Sequence, residues 1–441
     1  MTAYDAIIIG FGKGGKTLAG ELASRDWKVA MIEKDPKMYG GTCINIACIP
    51  TKVLVHEGVQ GVPYQKAIER KDDVVEKLRD KNYHNLVDND NVTVYDAKAK
   101  FLSDDKVEID ANGNKKVLTA EHIFVNTGAD SIIPPIEGDM DSEKVYTSTS
   151  LINRKDLPET LAIVGGGYIG LEYASMYQNF GSDVTVITPD DNLLPDEDEE
   201  IAEEVQKVLE NKGVQFVFGE KAEQINDLGD KVTLTLSHDE QVTAEAVLLA
   251  TGRKPNTEGL GLENTSIEQL EDGGIKVNDH LETAAKNIWA LGDVKGGMQF
   301  TYVSLDDYRI IMNTLFGEKE YTLSTRKNVP YTMFVDPPLS RIGMTAKEAQ
   351  DKGYTIIESK LPVASHPRAH AINDKRGLFK AVIDKKTKEI LGVSLFGPDS
   401  HELINLVKLA MDFEAPYTTL KDQMYNHPVM SEAFNTLFDV E

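Results

Sequence analysis

One pattern occurs twice in this chain, 155 residues apart, and it limits what the chain can fold into more than any other feature. Ala6 to Ile9 is a short apolar run, of the kind found in parallel strands buried on both faces. It leads straight into Gly10-Phe-Gly12-Lys-Gly-Gly15, a helix-like stretch from Lys16 to Arg25, and a second strand from Lys28 to Ile32 that ends at Glu33. The second copy runs through Leu161 to Val164, Gly165-Gly-Gly167-Tyr-Ile-Gly170, a helix from Leu171 to Phe180 and the strand Val184 to Ile187. In such a loop the first glycine makes the tight turn, the second lets backbone approach a pyrophosphate, and the third lets helix meet strand closely. The phosphate sits on the helix N-terminus, where free N–H groups favour negative charge. A lone glycine loop is weak evidence. Two complete strand–loop–helix–strand units with matched spacing indicate two dinucleotide sites. Glu33 stands where an acid takes the ribose hydroxyls. The same offset lands on Thr188 in the second unit, which therefore lacks that acid.

The repeat extends past the loops. Ile123-Phe-Val-Asn-Thr127-Gly128 is mirrored by Val247-Leu-Leu-Ala-Thr251-Gly252, and Ile288-Trp-Ala-Leu-Gly292-Asp293 is a strand ending in Gly-Asp, suited to a phosphate or ribitol contact. Between the copies, the spacing of Val74, Val75, Leu78, Asn82 and Leu86 predicts an amphipathic helix over Asp72 to Asn89, followed by strands at Val92 to Tyr95 and Val107 to Ile109. Asp196 to Asn211 reads as an acidic surface helix. From about Asn328 the texture changes. Strand-like runs at Phe379 to Ile383 and Leu391 to Phe396 precede a helical stretch, His401 to Asp412, giving a third, α+β domain without a glycine loop.

The only two cysteines, Cys43 and Cys48, lie in Gly40-Gly-Thr-Cys-Ile-Asn-Ile-Ala-Cys-Ile-Pro-Thr-Lys52. On a regular helix this spacing separates the Cα atoms by about 8 to 9 Å, whereas a disulfide needs about 4.4 to 6.8 Å. If they pair, the segment is not helical throughout, and Pro50 argues the same way. From the pair alone, a redox dithiol and two inert buried thiols are both open. A zinc site falls short of ligands, and no metal is expected. Two dinucleotides favour the redox reading, because they supply an electron path from nicotinamide through flavin to disulfide.

With 72 acidic and 47 basic residues the formal charge is −25, which argues against nucleic acid and anionic membranes as partners. The N-terminal run is too short and lacks the basic start of a secretory signal, and no stretch is long enough to span a membrane. A cytoplasmic location is expected, where a disulfide would be catalytic. Near the end, Asn426-His427-Pro428-Val-Met-Ser-Glu432 offers a histidine with a nearby acid, a candidate thiol base.

Over essentially its full length the chain resembles the class I pyridine nucleotide–disulfide oxidoreductases, which include dihydrolipoamide dehydrogenase, glutathione reductase and mercuric reductase. The Gly40–Lys52 segment, both glycine loops, Ala250-Thr-Gly252, Leu291-Gly-Asp293 and His427-Pro with Glu432 carry the likeness. It implies an α/β, glutathione-reductase-like architecture: two Rossmann-like dinucleotide-binding domains plus a C-terminal α+β dimerisation domain. The implied division is an FAD domain over 1–147, an NAD(P)H domain over 148–267, a return to the FAD domain over 268–327 and the interface domain over 328–441.

By the same resemblance FAD is held by Gly10, Gly12, Gly15, Glu33, Lys34, Gly41, Thr42, Lys52, Ala99, Thr127, Gly128, Asp293 and Thr301. NAD(P)H falls to Gly165, Gly167, Tyr168, Ile169, Gly170, Thr188 and Gly252. Lys52 and Glu172 match an ion pair beside the flavin, Cys48 the thiol facing the flavin, and Cys43 the thiol that meets substrate. His427, oriented by Glu432, matches an acid–base residue supplied across a homodimer interface. A narrower likeness, to the reactive-chlorine-resistance flavoproteins or hypothiocyanous acid reductases, rests on Gln299–Arg309, Arg326–Tyr331, Pro337–Gly343, Leu361-Pro-Val-Ala and Asn373–Gly377. It implies reduction of hypothiocyanous acid or a related oxidant. The alternatives are a dihydrolipoamide dehydrogenase-like activity or reduction of Cu(II) or Hg(II); mercury is disfavoured because there is no third cysteine. Without an acid at Thr188, or an arginine cluster after it, use of both NADH and NADPH is expected.

Overall fold

The computed structural model describes residues 2–440. Thr2–Ile9 pairs in parallel with Val29–Glu33 on one side and Asn114–Val125 on the other, Ile9 standing opposite both Ile32 and Val125. Its last four residues are fully buried, as an apolar run without alternation requires. The three strands therefore end at one edge, and the Gly10 loop, Glu33 and Asn126 converge where such sheets bind nucleotides. Val92–Asp96 extends this sheet beyond Val29–Glu33. Ile288–Ala290 pairs with Ile123–Val125, so the chain leaves the first sheet, builds a second, and comes back.

The second sheet repeats the plan. Thr160–Val164 lies between Asp183–Ile187 and Ala246–Leu249, with Gln215–Val217 beyond, all parallel. Val145–Thr147 pairs with Val247–Leu249 in this second sheet, although the expected division puts it in the first domain. A short ribbon, Ala129–Ser131 against Arg253–Pro255, ties the two Thr-Gly turns back to back. The third unit is an antiparallel sheet of Tyr331–Met333, Leu339–Gly343, Ile390–Phe396, Leu378–Asp384 and Ile356–Pro362, in that order. The helix Ser400–Asp412 buries Leu403, Ile404, Val407 and Ala410 against it. Among the described residues no helix is long and apolar enough to cross a membrane.

Helix starts differ from the sequence pattern for identifiable reasons. The first-loop helix spans Lys13–Ser24 because Gly12 already serves as its N-cap. The helix expected from Asp72 begins at Tyr64, directly after Pro63. Its first turns bury Tyr64, Ala67, Ile68 and also Lys71, whose ammonium donates to the Ile152 carbonyl and the Asn153 side chain, both at 3.1 Å. A buried lysine hides the apolar periodicity. Asp198 caps the acidic helix by accepting from the Glu200 amide, so that helix spans Glu199–Asn211.

Candidate active site

The cysteine segment is not one regular helix, as its spacing and Pro50 indicated. One helical turn, Thr42–Asn45, ends at Ile46, and a new helix, Cys48–Val59, starts after Ala47, whose φ of −133° and ψ of −101° are not helical. Pro50 falls in the first turn of the new helix, where its missing N–H has no intrahelical acceptor to lose. Cys48 thus opens a helix, a position that favours a thiolate. Both cysteines carry free thiols. They hydrogen-bond to each other, and Cys48 Sγ also lies 3.3 Å from Thr301 Oγ1. The bond from Cys43, then Thr301 and the Lys52 charge, pull the Cys48 pKa down to about 6 against the opposing effect of burial. The same bond and burial push Cys43 up. The pair holds one proton on Cys43 and a thiolate on Cys48.

Three units meet beside this pair. Lys52 Nζ donates to Glu172 Oε2 at 2.8 Å, and Glu172 Oε1 accepts from the Phe334 amide at 2.7 Å. The Lys52 ammonium also lies 4.7 Å from the Phe334 ring centroid. Glu172 belongs to the second-loop helix, Tyr168–Phe180, and Phe334 follows the first strand of the third unit.

Around the first loop the fit to a resident dinucleotide is close. Gly10 has φ +101°, which a side chain rarely adopts, and a Cβ there would lie 2.3 Å from the Asn126 carbonyl oxygen. Gly15 N donates to Asn126 Oδ1 at 2.9 Å, and Asn126 Nδ2 donates to the Leu291 carbonyl at 2.7 Å. Gly41 packs onto Gly12, where an added Cβ would come within 2.6 Å of the Gly12 Cα, and Thr42 follows directly. Glu33 is buried, accepts from the Phe11 amide at 3.0 Å, and has its pKa raised by burial. Asp293 has its pKa raised by burial too, while the Arg253 and Lys295 charges act on it without hydrogen-bonding to it. A half-buried carboxylate with no donor among the described residues suits the hydroxyls of a ribityl chain. Thr127 Oγ1 donates to the Asn256 carbonyl, and Gly128 faces open space except for Thr42 Oγ1 at 4.0 Å. Lys34 is exposed just beyond Glu33.

Ala99 lies on the strand Lys98–Ser103, which follows directly on this edge. It pairs with Ile109 in a hairpin, and two residues earlier the Ala97 amide donates to the Glu33 carbonyl at 2.9 Å.

The second loop is more open. Nothing lies within 4 Å of a Cβ placed on Gly167, and Gly252 meets only Ile132. Gly165 and Gly170 are packed on the Ala250 carbonyl and on Gly165 itself. Tyr168 opens the helix, followed by Ile169; the Tyr168 hydroxyl donates to Glu197 Oε1 at 2.7 Å, an oxygen also bonded by Tyr331. Thr188 is buried against Gly166 and donates to Asp190 Oδ2 at 3.3 Å, so a carboxylate stands two residues past the expected position. His427 Nδ1 lies 2.8 Å from Glu432 Oε2 with the imidazole well exposed, and no hydrogen bond among the described residues joins it to either cysteine. Sequence reasoning missed Asn126, Glu197 and Tyr331. Asn126 was signalled by a polar residue closing a buried strand; the other two carried no local signal.

Two nucleotide units around a thiol pair define a flavin-dependent dithiol oxidoreductase. The chain belongs to the pyridine nucleotide-disulphide oxidoreductase family, which it matches over residues 4–307, with that family's dimerisation domain over 329–438. Members work with FAD and NAD(P)H. The chain is 48% identical, over 100% of both proteins, to the probable pyridine nucleotide-disulfide oxidoreductase RclA of Escherichia coli. It is 33% identical to a mercuric reductase of Bacillus cereus, over 97% of this chain and 70% of that protein. A solved structure, described as a Cu(II) complex of the HOCl-induced flavoprotein disulfide reductase RclA from Escherichia coli, superposes with a TM-score of 0.97 at 48% identity, covering 99% of each chain. The chain is an oxidoreductase acting on a sulfur group.

Proposed function

We propose that this enzyme uses the Cys43–Cys48 dithiol to reduce hypothiocyanous acid or a closely related oxidant, with electrons from NADH or NADPH. The observation that carries the reading is the unequal thiol pair: Cys48 ionised at a helix start beside Lys52 and Thr301, Cys43 protonated. Likeness to an HOCl-induced relative along the whole chain supports an oxidant as substrate. Bound FAD supplies the two-electron transfer from NAD(P)H to the disulfide. The chain's own residues do the rest. Gly10, Gly12 and Gly15 with Gly41, Thr42 and Asn126 cradle the phosphates and fix the loop, while Glu33 and Asp293 offer carboxylates to hydroxyls. Lys52, held by Glu172, keeps the Cys48 thiolate charged. Gly165, Gly167 and Gly170 leave room for a nicotinamide nucleotide to come and go.

Cys43 gives up its proton to His427, the resulting thiolate attacks the oxidant's sulfur, and Cys48 then displaces thiocyanate to restore the disulfide. The proton for the departing hydroxyl comes from His427, oriented by Glu432 and supplied by the second copy in a homodimer. The match to a dimerisation domain supports that assembly. So do the exposed Leu406 and Leu409 on one face of Ser400–Asp412, the exposed Phe413 that follows the helix and, nearby in sequence, the exposed Met424. The domain division is proposed as expected, with Val145–Thr147 moved to the second unit on its sheet pairing.

The test is Cys43→Ser, expected to abolish NADH-dependent hypothiocyanous acid reduction; turnover at the wild-type rate would falsify the scheme. The Cu(II) complex of the relative favours a second reading, Cu(II) reduction. A Cys43→Ser/Cys48→Ser protein that still reduces Cu(II) would assign that activity to the flavin.

A further inference from the structure

The two thiols do not share one cation. Lys52 acts on Cys48 and is neutralised by Glu172. Lys16 acts on Cys43, and among the described residues no carboxylate acts on Lys16. Its ammonium is held by the Asn82 side-chain oxygen. Asn82 in turn packs on Gly40, where an added Cβ would lie 3.5 Å from the Asn82 Cγ, and Gly40-Gly41 runs directly into Thr42-Cys43. Gly41 rests on Gly12 of the loop that opens the Lys16 helix. Lys16 is therefore fixed between the first-loop helix and the start of the thiol segment. Burial and the charge of Lys13, three residues earlier on the same helix face, pull its pKa down to about 8. Like charges at this spacing repel, and neither forms an ion pair among the described residues of a chain with 72 acidic and 47 basic residues. A half-buried cation without a counter-charge, beside the thiol that meets substrate, suits a small anion.

We infer that Lys16, positioned by Asn82, forms an anion subsite next to Cys43 that receives the singly charged fragment released by the oxidant, thiocyanate in the reading above, on which this inference rests. Cys43 gives its proton to His427, and its thiolate attacks the sulfur of hypothiocyanous acid. The S–O bond breaks, and the hydroxide takes up that proton from His427 to leave as water. Cys43 then carries an S–SCN bond. The Cys48 thiolate attacks Cys43 Sγ, the disulfide forms, and the S–SCN electron pair departs as thiocyanate. The dithiol has lost two electrons and the oxidant has gained them. The negative charge created in the second step appears where Lys16 already holds a positive one, so leaving is assisted.

The experiment uses FAD-loaded enzyme reduced with NADH. Sodium thiocyanate is titrated against the long-wavelength absorbance of the Cys48 thiolate beside flavin, and product inhibition by thiocyanate is measured against hypothiocyanous acid. Wild type is expected to bind thiocyanate saturably and to show competitive inhibition. Lys16→Met weakens both by about tenfold or more, and Lys16→Arg keeps them within about threefold. Unchanged thiocyanate affinity in a fully flavinated Lys16→Met enzyme overturns the inference. So does loss of FAD in both Lys16→Met and Lys16→Gln, which would give the charge to the FAD pyrophosphate. A wild type that binds thiocyanate through Lys16 yet fails to reduce hypothiocyanous acid retains the subsite and removes the proposed substrate.

Discussion

The two glycine-loop units share one plan and differ in how tightly they are closed. In the first, Asn126 staples the loop to the neighbouring strand end, Gly41 presses on Gly12, and Glu33 returns to bond the loop's own amide. In the second, the position after the strand is Ala250, whose methyl group cannot hydrogen-bond, and nothing among the described residues lies within 4 Å of a Cβ on Gly167. Closure of this kind suits a nucleotide that stays, and openness one that exchanges at every turnover. The same sequence motif therefore serves two kinetic purposes, and its surroundings decide which.

Breaking the first unit has the largest expected effect. Gly12→Ala puts a Cβ about 2.5 Å from Asn126 Oδ1, an overpacking that costs about 1–3 kcal/mol. The purified protein should carry little FAD and melt earlier, whereas Gly167→Ala should keep its flavin and its melting temperature and change only the KM for NAD(P)H. Equal behaviour of the two variants would erase the distinction. Next, Asn126→Ala removes two buried hydrogen bonds and leaves the Gly15 amide unpaired, at about 1–3 kcal/mol; flavin content after dialysis should fall by about tenfold in the bound-to-free ratio.

The thiol pair sharpens the comparison from the other side, because its charge depends on a residue of each unit. The Cys48 thiolate should give a long-wavelength absorbance that develops as pH rises through about 6 and is lost below it, since a thiol with a lowered pKa is ionised above that value. The two thiols titrate as a coupled pair. Lys52→Met should move the transition upward; a titration that does not move would show that the Cys43 hydrogen bond alone sets it. The smallest effect concerns the second unit. Asp190 lies beside Thr188 and opposes a 2′-phosphate, so Asp190→Ala should raise kcat/KM for NADPH relative to NADH by about threefold at low salt. A strict wild-type preference for either cofactor would contradict the expectation drawn from Thr188.

How much of this could be read from the chain depended on whether the physics was local. That Gly40 to Lys52 is not one regular helix followed from residue spacing and Pro50, though not where it breaks, and both nucleotide loops followed from glycine offsets. The first eight residues of the Tyr64–Val87 helix were hidden because Lys71 is buried through bonds to Ile152 and Asn153, far along the chain. Lys16 was passed over because the loop was read for its glycines; only the approach of Asn82 gives its charge a location. Glu197 and Tyr331 stand 134 residues apart and meet through a fold that neither one's neighbours encode.

Glu172 has a consequence for how the enzyme can move. One carboxylate oxygen grips the helix that carries Cys48, and the other grips the backbone of the third unit at Phe334. A swing of the second unit away from the other two would have to strip both bonds from a mostly buried carboxylate at once. The frame is riveted at that point. Delivery and release of the nicotinamide should then proceed by local shifts of side chains at the open loop, with the three bodies keeping their mutual orientation through the whole catalytic cycle.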